Sequence, residues 1–210
     1  MIAIVDYNSG NLRSVENAVR ALGRECVVTD DPALIRSATH VLLPGVGEAS
    51  KAMDELRSRG LDVLIPTLTQ PVLGICIGLQ LMCLSSEEGN AKCMGIFPTK
   101  VTKFRDEPGI KIPHMGWNTI EIASITPKPG DDKVVPTLSS PLFAGIPSGS
   151  FVYFVHSYAP EPCEGMIAAT GYGSRSFASA ICKDNFFGTQ FHPEKSGPVG
   201  RKILSNFLSL

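Results

Sequence analysis

The 210-residue chain reads as an α/β protein, an open and mostly parallel sheet with helices on both faces, extended by antiparallel strands. Three observations predict this. Through the first half, short apolar runs alternate with helical patterns, which is how a parallel sheet covered on both sides is built. In the second half, strand-like runs follow one another, broken by Gly and Pro, which suits antiparallel or mixed pairing. Between them lies Gly74-Ile75-Cys76-Ile77-Gly78, where an apolar run stops and good helix formers begin.

Taken in order, Ile2 to Val5 is a first apolar strand. Asn11 to Leu22 carries apolar residues at 12, 15, 18, 19 and 22, the spacing of a helix, with Gly23 as C-cap. Glu25 to Thr29 is a second strand, and Asp31 to Ser37 a short helix capped by Asp30 or Asp31. His40 to Leu43 is a third strand ending in Pro44-Gly45-Val46-Gly47. Lys51 to Arg59 is helical, and Val72 to Ile75 is the fourth strand. Segments 97–104, 119–122, 151–155, 165–170, 177–182 and 186–191 read as strands, and Arg201 to Leu208 as a closing helix. Asp106 to Lys111 and Ile125 to Asp132 are polar loops rich in Pro and Gly. The length suits one domain spanning 1–210 with a sizeable core.

A net charge of −1 gives no reason to expect bulk nucleic-acid or anionic-membrane binding. No apolar stretch approaches the roughly 20 residues of a membrane span. Met1-Ile2-Ala3-Ile4-Val5-Asp6 lacks a basic leader region and reads as a strand, not a signal peptide. The cysteines at 26, 76, 83, 93, 163 and 182 form no CxxC pair and show no zinc-like spacing. Reduced thiols and a cytoplasmic location are therefore expected, with no metal site. No cofactor is implied either, since neither GxGxxG nor GxxxxGK[ST] occurs.

The chemistry is suggested by two motifs. A strand, a sharp turn and a helix around Cys76 have the form of a nucleophile elbow, whose flanking glycines relieve crowding at a strained residue. The helix N-terminus behind the sulfur favours the reactive thiolate. Downstream comes Gln190-Phe191-His192-Pro193-Glu194. In an extended chain residues two apart point the same way, so His192 can face the thiol while Glu194 reaches the other side of the imidazole. Nucleophile, base and orienting carboxyl make a hydrolytic triad. The backbone N–H of Ile77, just after the nucleophile, is one oxyanion donor. The Pro44–Gly47 turn reads equally well as a tight strand-to-helix connection or as the source of a second donor. Strand ends in an open α/β sheet share one ligand-binding rim, so Asn8–Asn11, Pro44–Gly47 and the elbow are expected together, with His192 reaching them.

Several segments along almost the whole chain resemble the class I (triad) glutamine amidotransferases. They are Asp6-Tyr7-Asn8-Ser9-Gly10-Asn11-Leu12, Leu43-Pro44-Gly45-Val46-Gly47, Gly74 to Met82, Gly95-Ile96-Phe97-Pro98, Pro113-His114-Met115-Gly116-Trp117-Asn118, Phe154-Val155-His156-Ser157-Tyr158 and Gln190 to Ser196. The resemblance implies the flavodoxin-like fold of that class and L-glutamine as substrate. As partner in a heterodimer it implies a separate (β/α)8 cyclase subunit. It implies that Val46 N–H is the second oxyanion donor. Gly45, Gly47, Gln80, Glu88, Ser157 and Tyr158 would contact glutamine, although Gln80 and Glu88 taken singly read as ordinary surface polar residues. It places Asn11, Trp117, Tyr153 and Lys195 at the partner interface, where their bland readings are a core tryptophan and a solvated lysine. His156 reads as a hydrogen-bonded structural histidine, and neither it nor His114 belongs to the triad. Asn8-Ser9 departs from the usual glycine-containing pair. Other readings are a different amidotransferase, a catalytically silent binding module on the same fold, and a stand-alone cysteine peptidase or amidase.

Overall fold

The computed structural model describes residues 1–122 and 140–210, so the loop expected over 125–132 lies outside the described residues. In chain order the first half runs β1 (Ile2–Val5), α1 (Leu12–Ala21), β2 (Cys26–Thr29), α2 (Pro32–Ser37), β3 (His40–Gly45), α3 (Ala49–Ser58), α4 (Leu61–Leu64), β4 (Val72–Cys76) and α5 (Ile77–Met82). The second half runs β5 (Ser85–Ser86), β6 (Ala91–Lys92), β7 (Lys100–Lys103), β8 (His114–Ile122), β9 (Ser150–His156), β10 (Tyr158–Pro160), β11 (Met166–Tyr172), β12 (Arg175–Lys183), β13 (Phe186–Thr189) and α6 (Gly197–Phe207).

Nine of the described strands form one sheet in the order β2-β1-β3-β4-β13-β12-β11-β8-β9. The pairings from β2 through to β13 are parallel, and those from β13 out to β9 are antiparallel. Four of the parallel strands come from the first half of the chain, while β13, from near the end, joins them beside β4. A small second sheet, β10-β7-β5-β6, packs against it through β10 and β12. Every residue of β1, β4 and β13 is buried. Successive side chains of a strand point to opposite faces, so both faces of the parallel core are covered. Helices supply that cover through apolar stripes, Val15 and Val19 on α1, Met53 and Leu56 on α3, and Ile203, Leu204 and Phe207 on α6.

Boundaries differ from the sequence reading in ways that have causes. β3 continues through Pro44 and Gly45, because Pro44 and Gly45 sit opposite Ile75 and Cys76 of β4. β8 begins at His114, so the His-Met-Gly-Trp-Asn segment is strand from its first residue. β13 stops at Thr189, earlier than expected, and the chain then turns out of the sheet toward the site. Asp31 caps α2 by accepting from Ala33 N at 2.7 Å. Gly23, in the left-handed region at φ 71°, closes α1 with its N–H on Arg20 O.

The glycines around Cys76 are fixed by close approach. A Cβ on Gly78 would overlap the Leu43 carbonyl oxygen, and one on Gly74 would press into the Gly78 backbone at 2.7 Å. The first turn of α5 therefore lies directly on β3 and β4. Gly78→Ala should destabilise the protein by about 3 kcal/mol or more. Urea unfolding of wild type and variant measures this, and a loss below about 1 kcal/mol would contradict the packing.

Candidate active site

The parallel pairings bring four strand ends to one rim. Gly45 of β3 sits opposite Cys76 of β4 on one side, and Thr189 of β13 pairs with Ile75 of β4 on the other. The Pro44–Gly47 turn and the Gln190–Glu194 segment thus flank the cysteine, and the β1 end brings Asn8–Asn11 alongside. Cys76 has φ 55° and ψ −107°, a strained conformation for a residue with a Cβ. That strain at a strand-to-helix corner is what an elbow predicts, and it leaves the Ile77 N–H in the first turn of α5 without an intrahelical partner.

His192 Nδ1 lies 2.7 Å from Glu194 Oε1. The side chains of both are fully buried. A carboxyl oxygen accepts there, so Nδ1 carries a proton, and Nε2 is on the side of the ring away from the carboxyl. Nε2 is buried and has no hydrogen-bond partner within the protein. Burial pushes the imidazole pKa down, but Cys76 and Glu194 outweigh it through charge and hydrogen bonding and raise it to about 10. The charged imidazolium is therefore favoured beside Cys76, although no hydrogen bond of ordinary geometry joins Sγ to Nε2. Such bonds are often loose until substrate is bound. Glu194 does not reach the ring along an extended strand, as the spacing suggested. Pro193–Lys195 is a turn of 3-10 helix that folds the carboxyl back onto Nδ1.

Asn11, expected at the partner interface, turns its side chain inward. It is buried, and its Nδ2 donates to Glu194 Oε1 at 2.6 Å. Its 3.5 Å approach to His192 Nδ1 sets donor against donor and is only proximity. The residue stands at the N-cap of α1 without making a side-chain cap, because its amide is engaged by the triad carboxyl. The Asp-Tyr-x-x-Gly-Asn motif carried a signal for this, but only the rim geometry shows where the amide goes.

A cavity of about 290 Å³ opens beside Cys76, lined by Val46, Gly47, Ile77, Gln80, Glu88, Ser157 and Tyr158 together with Pro113, Val155 and His156. Of the residues expected to contact substrate, Gly45 alone is not in the lining. Its Cα faces the Tyr7 hydroxyl and Ile77, and it serves close packing. Tyr7 donates to the Pro44 carbonyl at 2.7 Å, and burial pushes its phenol pKa up. Gln80 is buried, not on the helix surface; its Nε2 donates to Tyr158 O at 3.0 Å, and its buried Oε1 has no partner in the protein. Glu88 accepts from Ala49 N at 2.9 Å, which ties the lining to the start of α3. Burial raises the Glu88 pKa.

Behind the Tyr158 carbonyl runs a one-way chain of hydrogen bonds. His156 Nδ1 meets that carbonyl at 2.8 Å, so Nδ1 is the donor and Nε2 accepts from His114 Nδ1 at 3.0 Å. His114 Nε2 in turn accepts from Asn118 Nδ2 at 3.3 Å. Both rings are thus neutral in the fold. Burial lowers the pKa of His114 to about 4 and of His156 to about 3.

On the outer side of β8 and β9, Met115, Trp117 and Phe151 are exposed, by 62%, 56% and 58%. Trp117 pairs across the strands with Tyr153, their rings 6.0 Å apart edge to face. Lys195 is exposed nearby in sequence to the triad turn. An exposed apolar patch of this kind is uncommon on monomeric proteins. It is joined to the triad through the backbone. Tyr153 O accepts from His192 N at 2.9 Å, Tyr153 N donates to Ser196 Oγ at 3.0 Å, and Ser196 Oγ donates to His192 O at 2.7 Å.

A glycine-cornered cysteine and a buried histidine–carboxyl pair thus stand on one rim of an α/β sheet. A family model described as glutamine amidotransferase class-I matches residues 3–210, and the chain belongs to that family. Two relatives are each called imidazole glycerol phosphate synthase subunit HisH. That of Bacteroides fragilis is 49% identical over 210 residues, covering 100% of this chain and 99% of the relative. That of Shewanella oneidensis is 44% identical over 223 residues, covering 100% and 96%. Within the family the chain stands with these HisH subunits. Among solved structures, PurLQS from Thermotoga maritima superposes with TM-score 0.68 at 16% identity, covering 99% of this chain and 97% of that one. A glutamine amidotransferase from the same organism gives 0.58 at 17%, covering 99% and 82%. Both share the fold.

The neutral histidine chain has a consequence for pH. Unfolded histidines titrate near 6.5, whereas His114 and His156 resist protonation down to about 4 and 3. Below pH 6.5 the unfolded chain therefore binds protons that the fold refuses. The stability contribution is present above 6.5 and is lost as pH falls toward the folded values. Urea unfolding between pH 7.5 and 4.5 should show this decline, and His156→Gln should flatten it. An unchanged slope in the variant would contradict it.

Proposed function

We propose that this chain is the glutaminase subunit of an imidazole glycerol phosphate synthase. It hydrolyses L-glutamine to glutamate and ammonia and passes the ammonia to a (β/α)8 cyclase subunit, in the cytoplasm. The observation that carries this reading is the strained Cys76 beside a His192 whose Nδ1 is held by Glu194 and whose Nε2 is buried and free. In this scheme the Cys76 thiol proton passes to His192 Nε2 as sulfur attacks the carboxamide carbon of glutamine. The tetrahedral oxyanion takes the Ile77 and Val46 N–H groups. His192 returns its proton to the leaving nitrogen, ammonia departs, and a glutamyl thioester remains. Water then attacks, giving His192 its proton. Glutamate leaves as the thiol is regenerated. The unpartnered Gln80 Oε1 is placed to accept from the substrate's ammonium group.

The partner side of the reading rests on the exposed Met115, Trp117 and Phe151. Ammonia is mostly protonated in neutral water and is then not nucleophilic, so a dry route into a partner has a physical purpose. Among the described residues, no helix is long and apolar enough to cross a membrane.

Cys76→Ala should abolish glutamine hydrolysis while leaving ammonia-dependent cyclisation by the complex intact. His192→Ala should lose more activity than Glu194→Gln, because an amide still orients the ring. Steady-state glutaminase assays decide both, and near-normal turnover by Cys76→Ala would remove the triad. A glutamine-derived electrophile should label Cys76 before the other five cysteines, each of which has its pKa raised by burial. Peptide mapping that finds the label on Cys83 or Cys182 would contradict the assignment.

The isolated chain should turn glutamine over slowly and be stimulated by the cyclase subunit with its ligand bound. If the Gly45–Val46 peptide must rotate to present the Val46 N–H, lacking that donor costs about 100- to 1000-fold in rate. Equal rates with and without the partner would rule the switch out.

A further inference from the structure

Gln190 is fully buried, and the triad reaction gives it no task. Which way its amide points can be derived from its neighbours. The Tyr158 carbonyl can only accept, so the Gln80 atom 3.0 Å from it is the amide nitrogen. The second N–H of that nitrogen lies 2.9 Å from Gln190, and the Gln190 atom it meets must be the carbonyl oxygen. The remaining end of the Gln190 amide is then the NH2 group, and it stands 3.6 Å from Cys76 Sγ. The opposite orientation would set two NH2 groups face to face and aim an oxygen lone pair at the sulfur. The Tyr158 carbonyl is itself anchored by His156, so the whole series is fixed at its far end.

We propose that Gln190 is a further catalytic residue of this site, donating its amide N–H to the Cys76 sulfur so that the thiolate is favoured over the thiol and held in place for attack. The proposal rests on the reading of Cys76 as nucleophile. A sulfur anion gains from a fixed donor far more than a thiol does, because hydrogen bonds to charged groups are about twice as strong as those between neutral ones. The thiol has only a weak alternative partner, the Val155 carbonyl at 3.9 Å. Gln190 also lies two residues before His192, and both side chains approach Cys76.

The test is the rate of Cys76 alkylation by iodoacetamide across pH in the full-length chain, followed by peptide mapping, beside glutaminase kcat in the complex with the cyclase subunit. Gln190→Met removes the donor with little change of volume. Its Cys76 alkylation at pH 7 should fall about tenfold or more, with the rate recovered at higher pH, and kcat should fall by a similar factor. Gln190→Glu keeps the oxygen that accepts from Gln80 and replaces the donor by a carboxylate oxygen whose charge also opposes the thiolate, so it should shift the profile further in the same direction and serves if the first variant folds poorly. A role in packing alone would lower the melting temperature without moving the alkylation profile. An unchanged profile in either folded variant overturns the proposal. Glutaminase activity retained by Cys76→Ala would instead overturn the nucleophile assignment beneath it.

Discussion

Cys76 can hold its sulfur above the end of the sheet only because Gly78 lets the first turn of α5 lie against the Leu43 carbonyl. That single contact sets the angle at which β4 gives way to helix, and with it the φ of 55° at the cysteine. Relaxing the corner would draw the thiol back among buried neighbours, the setting whose burial is the main cause of the raised pKa at Cys83 and Cys182. The rest of the site is arranged around that fixed point. β3 sets the Pro44–Gly47 turn on one side, and β13 sets the His192 segment on the other. Parallel pairing is what makes both strands end at the same rim.

The first half of the chain was legible because its signals are local. Helical spacing marked α1, an Asp cap marked α2 and apolar runs marked the buried strands. The elbow was legible for the same reason, since a strand-to-helix corner with glycines at two fixed positions is written in five consecutive residues. What could not be read is what depends on residues far apart in sequence. The inward turn of Asn11 requires Glu194, 183 positions away. The retreat of Gly45 from the cavity requires Tyr7. The start of β8 at His114 requires β9 as its partner. The reach of Glu194 to the imidazole was right in outcome and wrong in path, because proline at 193 starts a turn where an extended strand was assumed.

The buried polar groups settle one another's orientation. Asn118 donates to His114, His114 to His156 and His156 to the Tyr158 carbonyl, which also accepts from Gln80; Gln80 donates in turn to Gln190, and Gln190 to the sulfur. Charged groups are absent from that series, and Phe154 and Phe177 pack on the His156 ring behind it. That side of the cavity is thereby shaped by neutral dipoles with settled orientations, whereas Glu88 brings a carboxyl to the lining. Among the described residues, half of the six buried side-chain atoms without a partner lie here, Gln80 Oε1, His192 Nε2 and Glu194 Oε2.

Position 153 faces two ways. Its aromatic ring lies on the outer surface against Trp117, while its peptide N–H and C=O are clasped by Ser196 and His192. Side chain and backbone are thus under separate selection. The ring is free to follow whatever surface it meets, and any residue able to lie in a strand would keep the clasp. Proline is the exception, since it has no N–H for Ser196. The surface at this position could therefore change residue by residue, with the histidine beneath it never moving.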